Sequence, residues 1–280
     1  MSQNLSPIGV FDSGLGGLTV LNAITQGLPA YDYLYLGDNA RSPYGNLSFD
    51  TVYEYTLEGV KWLFDQGCEL VILACNTASA KALRTIQQVY LPANYPDRRV
   101  LGVIRPTAEV IGAYSVSKHI GVLGTRGTID SGSYLMEIAA QFPDLNIYQQ
   151  ACPMWVPLIE NNEHDNGGAD YFVALYLQQL LNQSAQIDTI LLACTHYPLL
   201  IAKIEQSLKT LGKSEQVAVV AQGEIVAQSL KAYLGRHPEM HDKINTSGRQ
   251  QFYTTGDLNN FNAQASLFLG QSIQAQKARL

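Results

Sequence analysis

The stretches VILACNTASA at 71–80 and ILLACTHYPL at 190–199 are built alike. Each is a short run of Val, Ile, Leu and Ala that ends in a cysteine and then turns polar. A run this short and apolar throughout predicts a strand buried on both faces, and the polar exit predicts the junction with the next helix.

Outward from this pair the likeness continues. IGVFDSG at 8–14 matches IGVLGTRG at 120–127, an offset of 112 residues against 119 for the cysteine runs. Apolar runs at 8–11, 33–36, 70–74 and 100–104 are followed at similar spacing by runs at 120–123, 146–150, 189–193 and 217–221. Between most of them lie stretches with helical periodicity, at 50–66, 78–90 and 170–182. Strands alternating with helices predict an α/β fold. The internal repeat predicts two similar lobes with mostly parallel sheets, related by a pseudo-two-fold axis, with the active site in the cleft between them. The expected first lobe is 1–100 together with 213–280, its tail (the stretch 252–257 and a final helix) returning to it, and the second lobe is 101–212. No linker rich in Pro, Gly or Ser divides the halves.

Composition narrows the function. Apolar residues make up 46% of 280 and charged residues 15%, ordinary for a globular chain. The formal charge of -6 disfavours nucleic acid, which Lys and Arg must neutralise. No run reaches the roughly 18 apolar residues of a membrane helix, and the N-terminal stretch 1–7 has no basic patch followed by an apolar segment. The expectation is a cytoplasmic protein with reduced thiols. Its four cysteines, at 68, 75, 152 and 194, form no CxxC pair and no metal-type spacing with histidine.

In open α/β sheets ligands bind beyond the carboxyl ends of the strands, and the chemistry-bearing residues cluster there. Cys75-Asn76-Thr77 follow one strand, Cys194-Thr195-His196 follow its counterpart, and Asp12-Ser13 follow the first. A buried cysteine is usually an inert small hydrophobe. Here the motif recurs, and a helix N-terminus favours both a thiolate and a bound carboxylate. Cys68 and Cys152 lack that setting and belong to the core or its margin. Asp12-Ser13-Gly14-Leu15-Gly16-Gly17 allows close backbone approach to a ligand, but a dinucleotide fingerprint would need glycine at 19, where Thr19 stands; a tight turn capped by Asp12 is the plainer reading. His196 suits a proton relay to Cys194 as well as a structural histidine. The polar loop at 37–45 reads either as a turn or as a cover over a substrate.

These pieces carry a resemblance. FDSGLGGLTVL at 11–21, GDNARSPYG at 37–45, ILACNTASA at 72–80, GVLGTRGTI at 121–129, CPMWVPLIE at 152–160, LACTHYPLL at 192–200 and TTGD at 254–257 resemble the glutamate racemases, within the aspartate/glutamate racemase superfamily. They span nearly the whole chain. The resemblance implies an amino-acid racemase (an isomerase) with two catalytic cysteines, Cys75 and Cys194, the first assisted by Asp12 and the second by His196 with Glu160. It implies substrate contacts from Asp12, Ser13, Tyr44, Gly45, Asn76, Thr77, Thr195 and His196. It also implies no cofactor and no metal, a homodimer, and the supply of D-glutamate for bacterial peptidoglycan, and so for cell-wall biogenesis and cell shape.

Three places depart from the pattern. Arg105 stands in GVIRPT where an acidic residue is usual, the segment Val220-Ala221-Gln222-Gly223-Glu224 lacks an expected Asp-Ser, and the loop at 161–168 is long. None touches the cysteine motifs. The chemistry expected is a two-base proton transfer: one thiolate removes the α-proton, the opposing thiol returns another, and hydrogen-bond donors stabilise the carbanion. An aspartate or hydantoin racemase shares the paired cysteines and is the alternative within enzymes; a non-catalytic bilobal amino-acid-binding protein is the alternative outside them, and it leaves the paired thiols unexplained.

Overall fold

The computed structural model describes residues 5–280. Residues 1–4, part of the stretch read as carrying no leader, lie outside the described residues. The strands are β1 (Ile8–Asp12), β2 (Tyr33–Gly37), β3 (Leu70–Leu73), β4 (Arg99–Gly102), β5 (His119–Gly124), β6 (Asn146–Ala151), β7 (Thr189–Ala193), β8 (Ala218–Val220), β9 (Gln250–Thr254) and β10 (Gln276–Lys277). They form two sheets, ordered β10-β9-β2-β1-β3-β4 and β6-β5-β7-β8, and among the described residues every neighbouring pair in them is parallel.

The order β2-β1-β3-β4 is repeated as β6-β5-β7-β8. Each half is thus the same four-strand unit, with the cysteine strands β3 and β7 in equivalent places. The central strands β1, β3 and β7 are buried along their whole length, which is why their sequences do not alternate. Helices cover both faces of each sheet. Gly17–Gly27 and Gly223–Arg236 pack on one face of the first sheet, burying Leu18, Leu21, Ile24, Val226 and Leu230, while Phe49–Asp65 covers the other through Val52, Val60 and Leu63. Each such side chain contributes about 1.5–3 kcal/mol by leaving water. Gly167–Leu181 and Ser133–Gln141 cover the two faces of the second sheet.

Three expectations change. β8 pairs with β7, so a first lobe beginning at residue 213 takes in a strand of the other sheet; the chain recrosses only after Val220. An apolar three-residue strand carries no mark of which ladder it joins. The strand expected at 100–104 ends at Gly102, and Ile104 opens a helix. The single helix expected at 78–90 is broken into Asn76–Lys81, Leu83–Thr85 and a π turn at Ile86–Tyr90, just before Pro92, which has no N–H to extend an α ladder. The tail behaves as expected: β9 pairs with β2, and Leu258–Leu269 packs beside Gly17–Gly27.

Candidate active site

Cys75 leaves β3 as the N-cap of Asn76–Lys81. The Ala78 N–H donates to its sulfur at 3.4 Å, and the thiol donates to Ser13 Oγ, also at 3.4 Å. Ser13 stands at the exit of the neighbouring strand, β1, so the parallel pairing of β1 with β3 brings the two residues together. Burial, and then the charge of Asp12, push the Cys75 thiol up to about 12, against those two hydrogen bonds. Cys75 therefore rests as a thiol at neutral pH.

Cys194 leaves β7 in a different setting. Its sulfur lies 3.9 Å from Nδ1 of His196. Nε2 of the same ring lies 3.2 Å from Glu160 Oε1, an ion-pair distance without the alignment of a good N–H···O bond. Ser42 donates its hydroxyl to the same Oε1 at 2.8 Å. Burial alone would push the imidazole down, but Cys194 and Glu160 outweigh it and carry His196 up to about 10. Burial likewise pushes the Glu160 carboxyl up, and the facing His196 ring and the Ser42 hydroxyl hold it below its usual range. The resting site is thus asymmetric: a neutral thiol stands on the Cys75 side, and an imidazolium on the Cys194 side.

The two lobes meet at the residues that follow the cysteines. Thr195 donates to Asp12 Oδ1 at 3.3 Å, and Thr19 donates to the Thr195 carbonyl at 2.9 Å. In the mirror position the Thr77 and Thr125 hydroxyls are 2.9 Å apart, and both touch Thr128. The first strand of each lobe therefore meets the cysteine loop of the other. Asp12 also accepts from the Gly14 N–H at 2.9 Å, and burial pushes its carboxyl up against the His196 charge. It makes no direct bond to Cys75 and acts there through charge. Gly16 has no room for a side chain: a Cβ would overlap His196 Nδ1 and Thr195 Oγ1.

Tyr44 and Gly45 lie on the polar loop. Gly45 packs flat on Thr125, where a Cβ would approach to 2.9 Å. Tyr44 is buried, and its hydroxyl donates to Asp38, which also accepts from Arg41 Nε at 2.7 Å and from Thr255 at 2.7 Å. The Tyr44 hydroxyl thus anchors the loop through Asp38. Asn76 is buried with its amide turned to Gln222 and Tyr134.

Sequence reasoning did not single out Thr125, Thr128, Ser42, Asp38 or Tyr134, and it marked Gln222 only as part of a departure from the family pattern. Thr125 was open to discovery, because it occupies in the second repeat the place that Ser13 holds in the first. Cys68 and Cys152 are buried in the cores. Arg105 is exposed and paired with Glu109 at 3.1 Å. A cavity of about 720 Å³ is lined by Lys81, Arg84, Arg105 and Tyr233 among others, and neither thiol of the pair lines it. Beside the cleft, Gly45, Thr125, Arg126 and Val156 frame an opening of about 20 Å³. Among the described residues no cluster of three or more His, Cys, Asp or Glu could hold a metal ion, and no helix is long and apolar enough to cross a membrane.

Two parallel-sheet lobes with a cysteine at equivalent strand ends define an amino-acid racemase of the aspartate/glutamate class. Residues 8–230 match the family model described as Asp/Glu/Hydantoin racemase, and the chain belongs to that family. It is 40% identical to the glutamate racemase of Paracoccus denitrificans, over 97% of this chain and 99% of that protein. The crystal structure of a glutamate racemase isoform from Bacillus anthracis matches with a TM-score of 0.88 at 32% identity, covering 99% of this chain and 98% of the other. The glutamate racemase of Francisella tularensis, solved in complex with D-glutamate, matches with a TM-score of 0.83 at 29% identity, covering 99% and 98%.

Proposed function

We propose that this chain is a glutamate racemase that interconverts L- and D-glutamate by proton transfer between Cys75 and Cys194, with no cofactor. The observation that carries the reading is the pair of buried thiols at equivalent strand ends, each set against a different proton-handling group. Cys194, its own proton passed to His196 to make the imidazolium, takes the α-proton as a thiolate, and the Cys75 thiol gives one from the opposite face. Likeness to the family makes L-glutamate the substrate of that first direction.

The carbanion's charge spreads onto its carboxylate, where fixed donors in a closed site stabilise it most. Asn76, Thr77 and Thr195 supply such donors from the two cysteine loops, and Ser13 with the amides of Tyr44 and Gly45 adds others. For the return direction Cys75 must lose its proton. Ser13 and the Ala78 N–H then stabilise the thiolate, and the departing proton passes to Asp12, whose carboxyl burial raises toward holding it and whose negative charge is thereby removed from beside the sulfur. A supply of D-glutamate to peptidoglycan, a cytoplasmic setting and a homodimer follow from the same likeness; light scattering at assay concentration tests the last.

The test is circular dichroism with L- and D-glutamate, and with L-aspartate as control, on protein dialysed against chelator with nothing added. Loss of signal from both glutamate enantiomers toward the racemate is the expected result. Racemisation of aspartate alone, or activity that returns only with a metal ion or pyridoxal phosphate, overturns it.

A further inference from the structure

Gln222 departs from the Asp-Ser pattern that the family resemblance leads one to expect. Its side chain is buried and joins four segments of the chain. The Asn76 amide donates from Nδ2 to Gln222 Oε1 at 2.7 Å. Gln222 Nε2 donates to the Tyr134 hydroxyl at 2.6 Å and to Thr107 Oγ1 at 2.8 Å. Tyr134 in turn donates to Asn76 Oδ1 at 2.6 Å, which closes a ring of three side chains. Asn76 comes from the first lobe and Tyr134 from the second. Thr107 follows the first crossing between lobes, and Gln222 sits at the second.

The direction of every hydrogen in this ring is determined. Thr107 gives its hydroxyl hydrogen to the Val103 carbonyl at 2.8 Å, so it can only accept from Gln222. The Gln222 nitrogen therefore faces Thr107 and Tyr134, and its oxygen faces Asn76. Tyr134, having accepted, donates its one hydrogen to Asn76 Oδ1. Turning the Asn76 amide over would set oxygen against oxygen at Gln222 and forfeit the Tyr134 bond. Leaving buried polar atoms unpaired costs about 1–3 kcal/mol each. One Nδ2–H of Asn76 is left outside the ring.

We propose that Gln222 is a positioning residue: by closing this ring it holds the Asn76 amide, next to Cys75, in the one orientation that presents its remaining N–H to a substrate carboxylate, and it ties that orientation to the closure of the two lobes. This rests on the proposed glutamate racemisation. The Ala221-Gln222 departure then has a physical role, because a glutamine reaches from the second crossing to Asn76, and a shorter side chain does not.

Gln222→Met keeps the length and removes all four hydrogen bonds of the side chain, the long one to the Val103 carbonyl at 3.4 Å included. Tyr134→Phe is milder, removing the donor to Asn76 Oδ1 and one acceptor for Gln222. In both, KM for L- and for D-glutamate should rise about tenfold, the factor carried by one hydrogen bond to a charged group, with kcat within about a factor of two. A fold-wide defect would lower the active fraction, and so kcat, without raising KM. Urea unfolding of the two single variants and the double variant reads the ring itself, and the two losses should not add. Where Gln222→Met does not fold, Tyr134→Phe carries the kinetic test alone. Unchanged KM in a folded variant, a fall in kcat with KM unchanged, or strictly additive losses overturns the proposal. Absence of racemisation in the unaltered protein overturns the functional reading and the positioning role with it, while the unfolding cycle still reports whether the ring exists.

Discussion

Ser42 Oγ of the first lobe donates to Glu160 Oε1 of the second lobe at 2.8 Å, and that same oxygen faces His196. The polar loop thus completes the proton-handling group behind Cys194. Because Ser42 bonds the ionised carboxylate, its removal raises the Glu160 pKa. In Ser42→Ala the acid limb of the kcat/KM profile should move upward by at most about one pH unit, the equivalent of ~1.4 kcal/mol lost from the charged form. Profiles measured from L- and from D-glutamate should move together, since their ratio is tied to the equilibrium constant. An acid limb that stays in place removes Ser42 from the relay.

Tyr44→Phe separates a loop anchor from a substrate contact. The lost hydroxyl leaves Asp38 with Arg41 and Thr255 as its remaining side-chain partners. Stability should fall by about 1–3 kcal/mol in urea, while KM and kcat each change by less than about tenfold. A KM that rises a hundredfold with stability intact would return the hydroxyl to the substrate.

His196 carries a pH signature in stability. Its folded pKa of about 10 lies above the ordinary value of 6.5, so folding favours the charged ring. That contribution is fully present below about pH 6.5 and disappears as the pH rises through about 10. His196→Asn should therefore lose more stability at pH 6 than at pH 10. Equal losses at both pH values in urea melts would mean that the ring is buried neutral.

Each single cysteine variant should lose racemisation by about 10²–10⁴-fold or more and keep half of the chemistry. In Cys75→Ala, Cys194 can still remove and return a proton on its own face, so deuterium from heavy water enters L-glutamate with retention. Cys194→Ala should label D-glutamate in the same way. NMR of Cα–H loss with chiral analysis of the product reads both. A variant that labels both enantiomers equally, or still inverts at an undiminished rate, refutes the two-thiol assignment.

Much of this was legible in the chain itself. The apolar runs ending in Cys75 and Cys194 announce buried strands with chemistry at their ends, because only a strand covered on both faces reads as an unbroken apolar run, and ligands gather at its carboxyl end. The repeat at offsets of 112 and 119 residues announces two lobes of one design. The ladder of β8, the Asp38 anchor under Tyr44, the Ser42–Glu160 bond and the Gln222 ring are different in kind. Asp38 and Tyr44 stand six residues apart in one loop, and the others join residues far apart in the chain; each rests on single hydrogen bonds or one strand edge, which leave no period or spacing behind. Sequence alone determined which groups could do chemistry and on which strands they sit; the packing of one lobe against the other decided which of them touch, which hydroxyls are spent on structure, and why one thiol rests beside a hydroxyl and the other beside a charged imidazole.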